Sequence, residues 1–320
     1  MATAVVSKQK APKKRKPMSV ISVILTIVGL VAILYPVAAT IYMNSQQQGA
    51  VEVFSEQQES IPAEKLAEQI EQAREWNAAN QGGPILDPWL ARISKDNELY
   101  QSYTEQLALT QVMGQVTIPS IDSKLPIYHG TTEEVLTKGI GHLFGSGLPV
   151  GGEGTHAVLT GHTGIPVATL WDNLIDVKKG DAIYLTVSGE DMKYKVYDLQ
   201  VVLPGESDSL RPIPGRDVIT LITCTPYGIN SHRLLVHAER VPMDPDEDVR
   251  QIIETVGQPW QWWMTAALVI VGLFLLLTIY EWVRNRRRDR KKAASAAQEE
   301  NNVITAESGS VMQEENDPWK

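Results

Sequence analysis

The run Val218-Ile219-Thr220-Leu221-Ile222-Thr223-Cys224 leads into the turn-rich segment Thr225-Pro226-Tyr227-Gly228-Ile229-Asn230-Ser231, and past His232 and Arg233 the chain resumes with Leu234-Leu235-Val236. Two apolar, β-branched runs separated by turn formers read as strand, loop and strand. Cys224 closes the first strand and Arg233 opens the second, so a thiol and a guanidinium face each other across one loop. Cys224 is the single cysteine of the chain, which excludes an intramolecular disulfide. A lone thiol is either a small buried apolar group or a reactive nucleophile, and the spacing by itself leaves both open.

The stretch Thr220 to Val236 resembles the active-site strand and loop of class C, pilus-assembling sortases. A second segment, Leu159-Thr160-Gly161-His162-Thr163-Gly164-Ile165-Pro166, resembles the catalytic-histidine segment of that family and lies at the expected distance upstream. The resemblance covers roughly residues 60 to 245. It implies an eight-stranded β-barrel and cysteine transpeptidase chemistry, with Cys224 as nucleophile, His162 as proton carrier and Arg233 as the group that holds the oxyanion. The segment Asp87-Pro88-Trp89 resembles the lid of the same class, which implies that Asp87 pairs with Arg233 while Trp89 covers Cys224. Asp317-Pro318-Trp319 repeats the tripeptide in the tail, so the first copy draws its weight from its place between two expected helices. The family pattern is broken at Thr163, where an Arg commonly follows the histidine, and at His237-Ala238, where Arg-Gly is usual; neither change removes a catalytic group.

Working outward, short β-type runs are expected at Val112 to Ile118, Lys124 to Ile127, Thr155 to Thr160, Ala182 to Val187, Met192 to Leu203, Val218 to Thr223 and Arg233 to Arg240. Such a series, broken by Gly, Pro, Asp and Lys, indicates a sandwich or small barrel. Upstream, the spacing of Leu66, Ile70 and Ala73 predicts a helix starting near Pro62, and Leu99, Tyr103 and Leu107 predict another over about Lys95 to Leu109. A helical turn is expected at Val167 to Leu174. Gln81 to Trp89 reads as a loop by its Gly and Pro content.

The 320 residues also carry two segments of a different kind. Met18 to Met43 is uncharged and almost wholly apolar, and follows the cluster Lys8, Lys10, Lys13, Lys14, Arg15 and Lys16. Trp260 to Tyr280 is apolar, flanked by Trp262, Trp263 and Trp282, and followed by Arg284, Arg286, Arg287, Arg288, Arg290, Lys291 and Lys292. At about 1.5 Å per residue each run is long enough to cross a hydrocarbon core of about 30 Å. The aromatic belts and the positive-inside rule place both basic clusters in the cytoplasm and residues 44 to 259 outside. Val37-Ala38-Ala39 resembles a signal-peptide cleavage site, but the apolar run exceeds a typical signal core of about 7 to 15 residues, which favours an uncleaved anchor.

The expected organisation is therefore a basic cytoplasmic N-terminus (1–17), a span (18–43), a helical and lid region (44–111), the barrel (112–245), a linker (246–259), a second span (260–283), and a basic then acidic tail (284–320) that composition marks as disordered from Ala293. The outside segment holds 15 Lys and Arg against 30 Asp and Glu. That balance argues against nucleic acid as a partner and against simple electrostatic docking on anionic lipid.

Among the six histidines, spacing alone does not choose a proton carrier; the resemblance chooses His162. His156 and His162 share no helical face and lack an accompanying thiolate or carboxylate cluster, so no metal site and no cofactor are expected. His142 reads as a hydrogen-bonded structural residue. If Arg233 faces the site, strand alternation turns His232 away from it. Unperturbed pKa values near 8.5 for Cys and 6.5 for His give the thiolate-imidazolium pair a population of only about 1%, which Arg233 and the local environment would have to raise. The resemblance implies cleavage of an LPxTG-like sorting signal between Thr and Gly and transfer of the acyl group to a lysine of a pilin subunit. The alternatives are a housekeeping sortase that uses a cell-wall peptide amine, a cysteine hydrolase, and a non-catalytic membrane-bound interaction module.

Overall fold

The computed structural model describes residues 20–80, 87–89 and 96–314. The basic segment 1–17, the loop residues 81–86, the start of the expected second helix at Lys95 and the second Asp-Pro-Trp at 317–319 lie outside the described residues. The chain divides into two compact units, Val31–Gln261 and a second made of the residues up to Leu30 together with those from Trp262 onward.

In the first unit, eight strands close into a barrel: β1 (Gly114–Ile118), β2 (Ser123–His129), β3 (Ile140–His142), β4 (His156–Thr160), β5 (Ala182–Val187), β6 (Glu190–Val202), β7 (Val218–Thr225) and β8 (His232–Val241), in the order β1-β2-β3-β4-β7-β8-β6-β5. The β1–β5 pairing closes the ring. Only β2–β3 and β4–β7 run parallel. The parallel β4–β7 pair ends both strands at the same rim, which is why the residues after Thr160 and those around Cys224 come together.

Strand alternation sorts the side chains into two sets. Ile219 and Leu221 of β7 and Leu234, Val236 and Ala238 of β8 enter the main core with Val116, Ile127, Leu159, Leu185 and Trp171. Ile222 and Leu235, one residue out of phase, join Leu143, Val158 and Leu210 in a smaller cluster on the other face. Such burial contributes about 1.5–3 kcal/mol per large side chain.

Among the described residues, three helices stand before the barrel: α1 (Val20–Ser60), α2 (Ala63–Asn80) and α3 (Glu98–Glu105). Ile70 and Ala73 of α2 and Tyr103 of α3 reach the main core. α3 is shorter than its apolar spacing predicts, because Asn97 caps it at Tyr100 N and Gln106 is already extended. α1 does not stop at Met43. Its residues Val37, Thr40, Asn44, Gln47, Val51, Phe54 and Gln58 are buried at alternating steps of three and four, a seam of the kind that lets one helix lie along a partner surface. α4 (Glu133–Lys138) and α5 (Val249–Thr255) are short; α5 lies inside the stretch expected as a linker. The helical turn expected at Val167 to Leu174 is a 3-10 turn a few residues on, Asp172–Asp176.

In the second unit, α6 runs Trp262–Glu314. This corrects the expectation of disorder from Ala293: Ala293, Ala294, Ala296, Ala297 and Gln298 are strong helix formers, and neither Pro nor Gly intervenes before Gly309. α1 and α6 are both long and apolar enough to cross a membrane.

Candidate active site

Cys224 and Arg233 are direct partners in the β7–β8 register, and opposed residues of an antiparallel pair project to the same face. Both are buried, at 6% and 7% exposure. His232 turns to the loop instead, where Ser231 Oγ lies 2.8 Å from its Nδ1.

His162 sits two residues past β4, on the loop that runs to the 3-10 turn. Gly161 admits no side chain, since a Cβ there would stand 2.7 Å from both Ile140 and Trp171, and Gly164 takes the left-handed region at φ +79°. The loop is tied internally: Trp171 N donates to His162 O at 3.1 Å, Thr163 Oγ1 donates to Trp171 O at 2.9 Å, and Gly164 N donates to Asp172 Oδ1 at 2.7 Å. It is also tied to β7, where the Thr163 and Thr223 hydroxyls are 2.6 Å apart and Thr223 Oγ1 donates to Gly161 O at 2.7 Å. Thr163, where the family pattern carries Arg, thus joins the histidine loop to the residue beside Cys224.

Asp87-Pro88-Trp89 lies over this rim. Arg233 donates from Nε to Asp87 Oδ2 at 2.9 Å and from Nη2 to Oδ1 at 3.3 Å, a forked, charge-assisted contact between buried groups. Asp87 Oδ1 also accepts Trp89 N at 3.0 Å, and Pro88 O accepts Thr131 Oγ1 at 3.3 Å. The Trp89 indole lies under the Arg233 guanidinium at 4.5 Å and donates from Nε1 to His162 Nδ1 at 3.4 Å. With Nδ1 accepting, a neutral His162 carries its proton on Nε2, the nitrogen that faces Glu133 Oε1 at 3.3 Å. Trp89 also packs on the small apolar cluster of Ile222, Leu235 and Leu210. The structure therefore brings Asp87, Trp89, His162 and Arg233 into one contact network, with Cys224 beside Arg233.

The electrostatics follow from this cover. Burial pushes the Cys224 thiol above its ordinary value; the Arg233 charge opposes the rise and Asp87 adds to it. Asp172 is raised to about 7 by burial, which outweighs the Gly164 hydrogen bond.

The other histidines have structural partners. His142 bonds through Nε2 to Gly147 O at 2.7 Å and through Nδ1 to Tyr103 Oη at 2.9 Å, and burial lowers it to about 4. Thr220 Oγ1 bridges His156 Nε2 at 2.6 Å and His237 Nδ1 at 2.7 Å, while His156 Nδ1 reaches Arg211 O at 3.0 Å. Among the described residues, no group of three or more His, Cys, Asp or Glu side chains is placed to hold a metal ion.

Thr223, Thr131, Glu133 and Asp172 around the site are not marked by the sequence, and Thr163 is marked only as a departure from the family pattern, without its bond to Thr223. The Thr163–Thr223, Thr131–Pro88 and Glu133–His162 contacts cross between segments far apart in sequence, and the Asp172 contact closes an irregular loop that no periodic pattern announces.

The sortase domain family matches residues 116–241. The chain is 34% identical to sortase A of Bacillus anthracis over 131 residues, which are 41% of this chain and 60% of that protein. It spans between about half and two thirds of the length of the curated relatives it matches. Sortase C-1 from Actinomyces oris is 54% identical, with 56% of this chain and 99% of that one covered at a TM-score of 0.54. The pilus-related sortase C of Group B Streptococcus is 36% identical, covering 60% and 97% at 0.56. The chain belongs to the sortase family, whose members are cysteine transpeptidases, and its structural neighbours include pilus-related sortases C alongside a sortase A of Corynebacterium diphtheriae that is 49% identical.

Proposed function

We propose that this chain is a membrane-anchored transpeptidase that cleaves an LPxTG-like sorting signal between Thr and Gly and joins the acyl group to a lysine amine of a pilin subunit. The Cys224 thiolate adds to the Thr carbonyl carbon, and the Arg233 guanidinium receives the developing oxyanion. The C–N bond then breaks as the His162 imidazolium gives its proton to the leaving Gly amine, leaving a thioester on Cys224. The lysine amine attacks that thioester, passes a proton to His162, and releases Cys224 as thiolate. In this reading α1 and α6 cross the membrane with both basic clusters on the cytoplasmic side, and the barrel is outside.

Asp87 and Trp89 form the lid. The observation that carries the reading is that Arg233, register partner of Cys224, and His162 both contact one indole, that of Trp89. A group so placed occupies the space between oxyanion holder and proton carrier that a scissile peptide would need. The structural likeness to sortase C-1 and to a pilus-related sortase C supports a pilin as acceptor.

The test is mass spectrometry of the full chain in detergent, incubated with an LPxTG-type peptide and a pilin domain bearing a lysine. The expected result is an adduct on Cys224 followed by an amide-linked product, both abolished in Cys224→Ala. An adduct that ends only in free acid would convert the reading to a hydrolase, and transfer to a cell-wall peptide amine but never to the pilin would favour the housekeeping role.

A further inference from the structure

We propose that Asn44, on α1, is a positioning residue for His162, acting through the loop that carries the imidazole. The proposal rests on the reading of His162 as the proton carrier. The loop from Gly161 to Trp171 is held on its inner side by Thr163 and Thr223, as described above. On its other side it meets α1. Asn44 Nδ2 donates to Thr169 Oγ1 at 3.0 Å, and Asn44 Oδ1 accepts Thr169 N at 3.2 Å. One turn earlier, Thr40 Oγ1 donates to Pro166 O at 3.4 Å. Asn44 is 5% exposed and Thr169 1%.

A carboxamide that uses both its donor and its acceptor on one residue fixes that residue's orientation as well as its position. Thr169 is followed by Leu170, which is held at φ +43°. That left-handed region costs a non-glycine residue roughly 1–2 kcal/mol and persists only where the neighbours over-determine it. Here the neighbours are Thr169, clamped by Asn44, and Trp171, whose N–H reaches His162 O at 3.1 Å. The mechanical path is short: Asn44 to Thr169, through strained Leu170 to Trp171, and across one hydrogen bond to the backbone of His162. Without the Asn44 amide, a buried donor (N–H) and a buried acceptor (Oγ1) of Thr169 lose their partners, Leu170 relaxes toward negative φ, and Trp171 and His162 shift together. Displacement of a reacting group by about 1 Å can cost up to 10²-fold in rate.

The polar character of the α1 seam fits this role. A helix packed only to gain stability would place apolar residues at Thr40, Asn44 and Gln47, as it does at Val51 and Phe54. Of those polar positions, Thr40 and Asn44 reach the histidine loop directly.

The test uses the full chain in detergent micelles and compares Asn44→Leu, Asn44→Asp and Thr169→Val with the unaltered protein. Phe54→Ala, two to three turns further along the same seam, serves as the packing control. Readouts are kcat and KM for transfer from an LPxTG-type peptide to a lysine-bearing acceptor, and the pH profile of Cys224 alkylation by iodoacetamide. Asn44→Leu and Thr169→Val should lower kcat about tenfold or more with KM within about twofold, and displace the alkylation profile along the pH axis. Asn44→Asp, which keeps one oxygen for Thr169 N and offers the other to the Thr169 hydroxyl once that turns from acceptor to donor, should recover part of kcat. Phe54→Ala should lower the melting temperature without moving the profile. The inference is overturned if Asn44→Leu keeps the parent kcat and profile, or if Phe54→Ala changes both to the same extent. His162→Ala, run in parallel, separates the two levels: turnover surviving in it sinks the reading of His162, whereas its loss beside an unaffected Asn44→Leu sinks only the positioning role.

Discussion

The Arg233 guanidinium lies over the Trp89 indole, 4.5 Å from the ring centroid, while its fork grips Asp87 two residues earlier. One side chain therefore anchors both ends of the lid tripeptide, and the charge that the chemistry would use is occupied for as long as the tripeptide stays in place. Asp87 and Arg233 are both buried, so losing either leaves an uncompensated charge rather than a mildly weakened surface pair.

Asp87→Ala and Trp89→Ala are expected to speed alkylation of Cys224 at neutral pH. Opening the cover rehydrates the thiolate, and Asp87→Ala also removes the negative charge that raises the thiol while leaving the Arg233 charge that lowers it. Both changes act downward on the thiol pKa, and each unit of fall increases the thiolate fraction about tenfold below the pKa. Iodoacetamide labelling rates followed across pH by mass spectrometry check this; unchanged profiles in both variants would remove the lid from control of the thiol.

Arg233→Lys should not rescue function. An ammonium keeps the charge but presents no planar fork, so it cannot hold Asp87 through the two bonds that Nε and Nη2 make. If Arg233 receives the oxyanion, kcat in a lid-opened background should fall by about 10²–10³-fold with little change in KM. A fall confined to KM would make Arg233 a binding residue instead.

His142→Ala should destabilise the first unit by about 1–3 kcal/mol, because Tyr103 Oη and Gly147 O lose a buried partner. The acid response has a definite sign. His142 is held near 4 in the fold, below its ordinary value, so its contribution is present above about 6.5 and is lost as pH falls toward 4. Thermal unfolding between pH 7 and 4 should show this loss in the parent protein and a flatter profile in His142→Gln.

Asp172 carries the opposite sign. Burial raises it to about 7, so the folded state prefers the protonated carboxyl; the contribution is present below about 4 and is lost as pH rises through 7. Asp172→Asn keeps an oxygen for Gly164 N and has no charge to desolvate. It should melt higher than the parent above pH 7, with the difference closing toward pH 4, and a constant offset across that range would show the carboxyl to be uninvolved.

Most of the barrel was legible because its strands announce themselves by β-branched runs between turn formers. β3 was not, since Ile140-Gly141-His142 is three residues long with a glycine at its centre, and its place is set by β2 and β4 rather than by its own propensity. Cys224, His162 and Arg233 stood out through the resemblance of their segments. The supports did not: Thr163 reaches Thr223 across 60 residues and Asn44 reaches Thr169 across 125, separations at which a single chain carries no periodic signal. The tail beyond Ala293 differs for another reason, as low hydrophobicity speaks to the absence of a core and says nothing against an extended helix that opens on Ala, Gln and Glu.

Hydropathy draws the end of the first apolar segment at Met43, whereas packing draws it at Pro36, because Val37 and Thr40 are already covered by the barrel unit. The difference decides how a soluble fragment should be cut. A version that begins at residue 44 discards the first turns of the seam, removes the Thr40 bond to Pro166 and makes Asn44 the chain end, held only by its bonds to Thr169. One that begins at Val37 keeps the helix whole where it matters and sheds only the exposed apolar stretch before Pro36, so two preparations differing by seven residues should differ in turnover as well as in solubility.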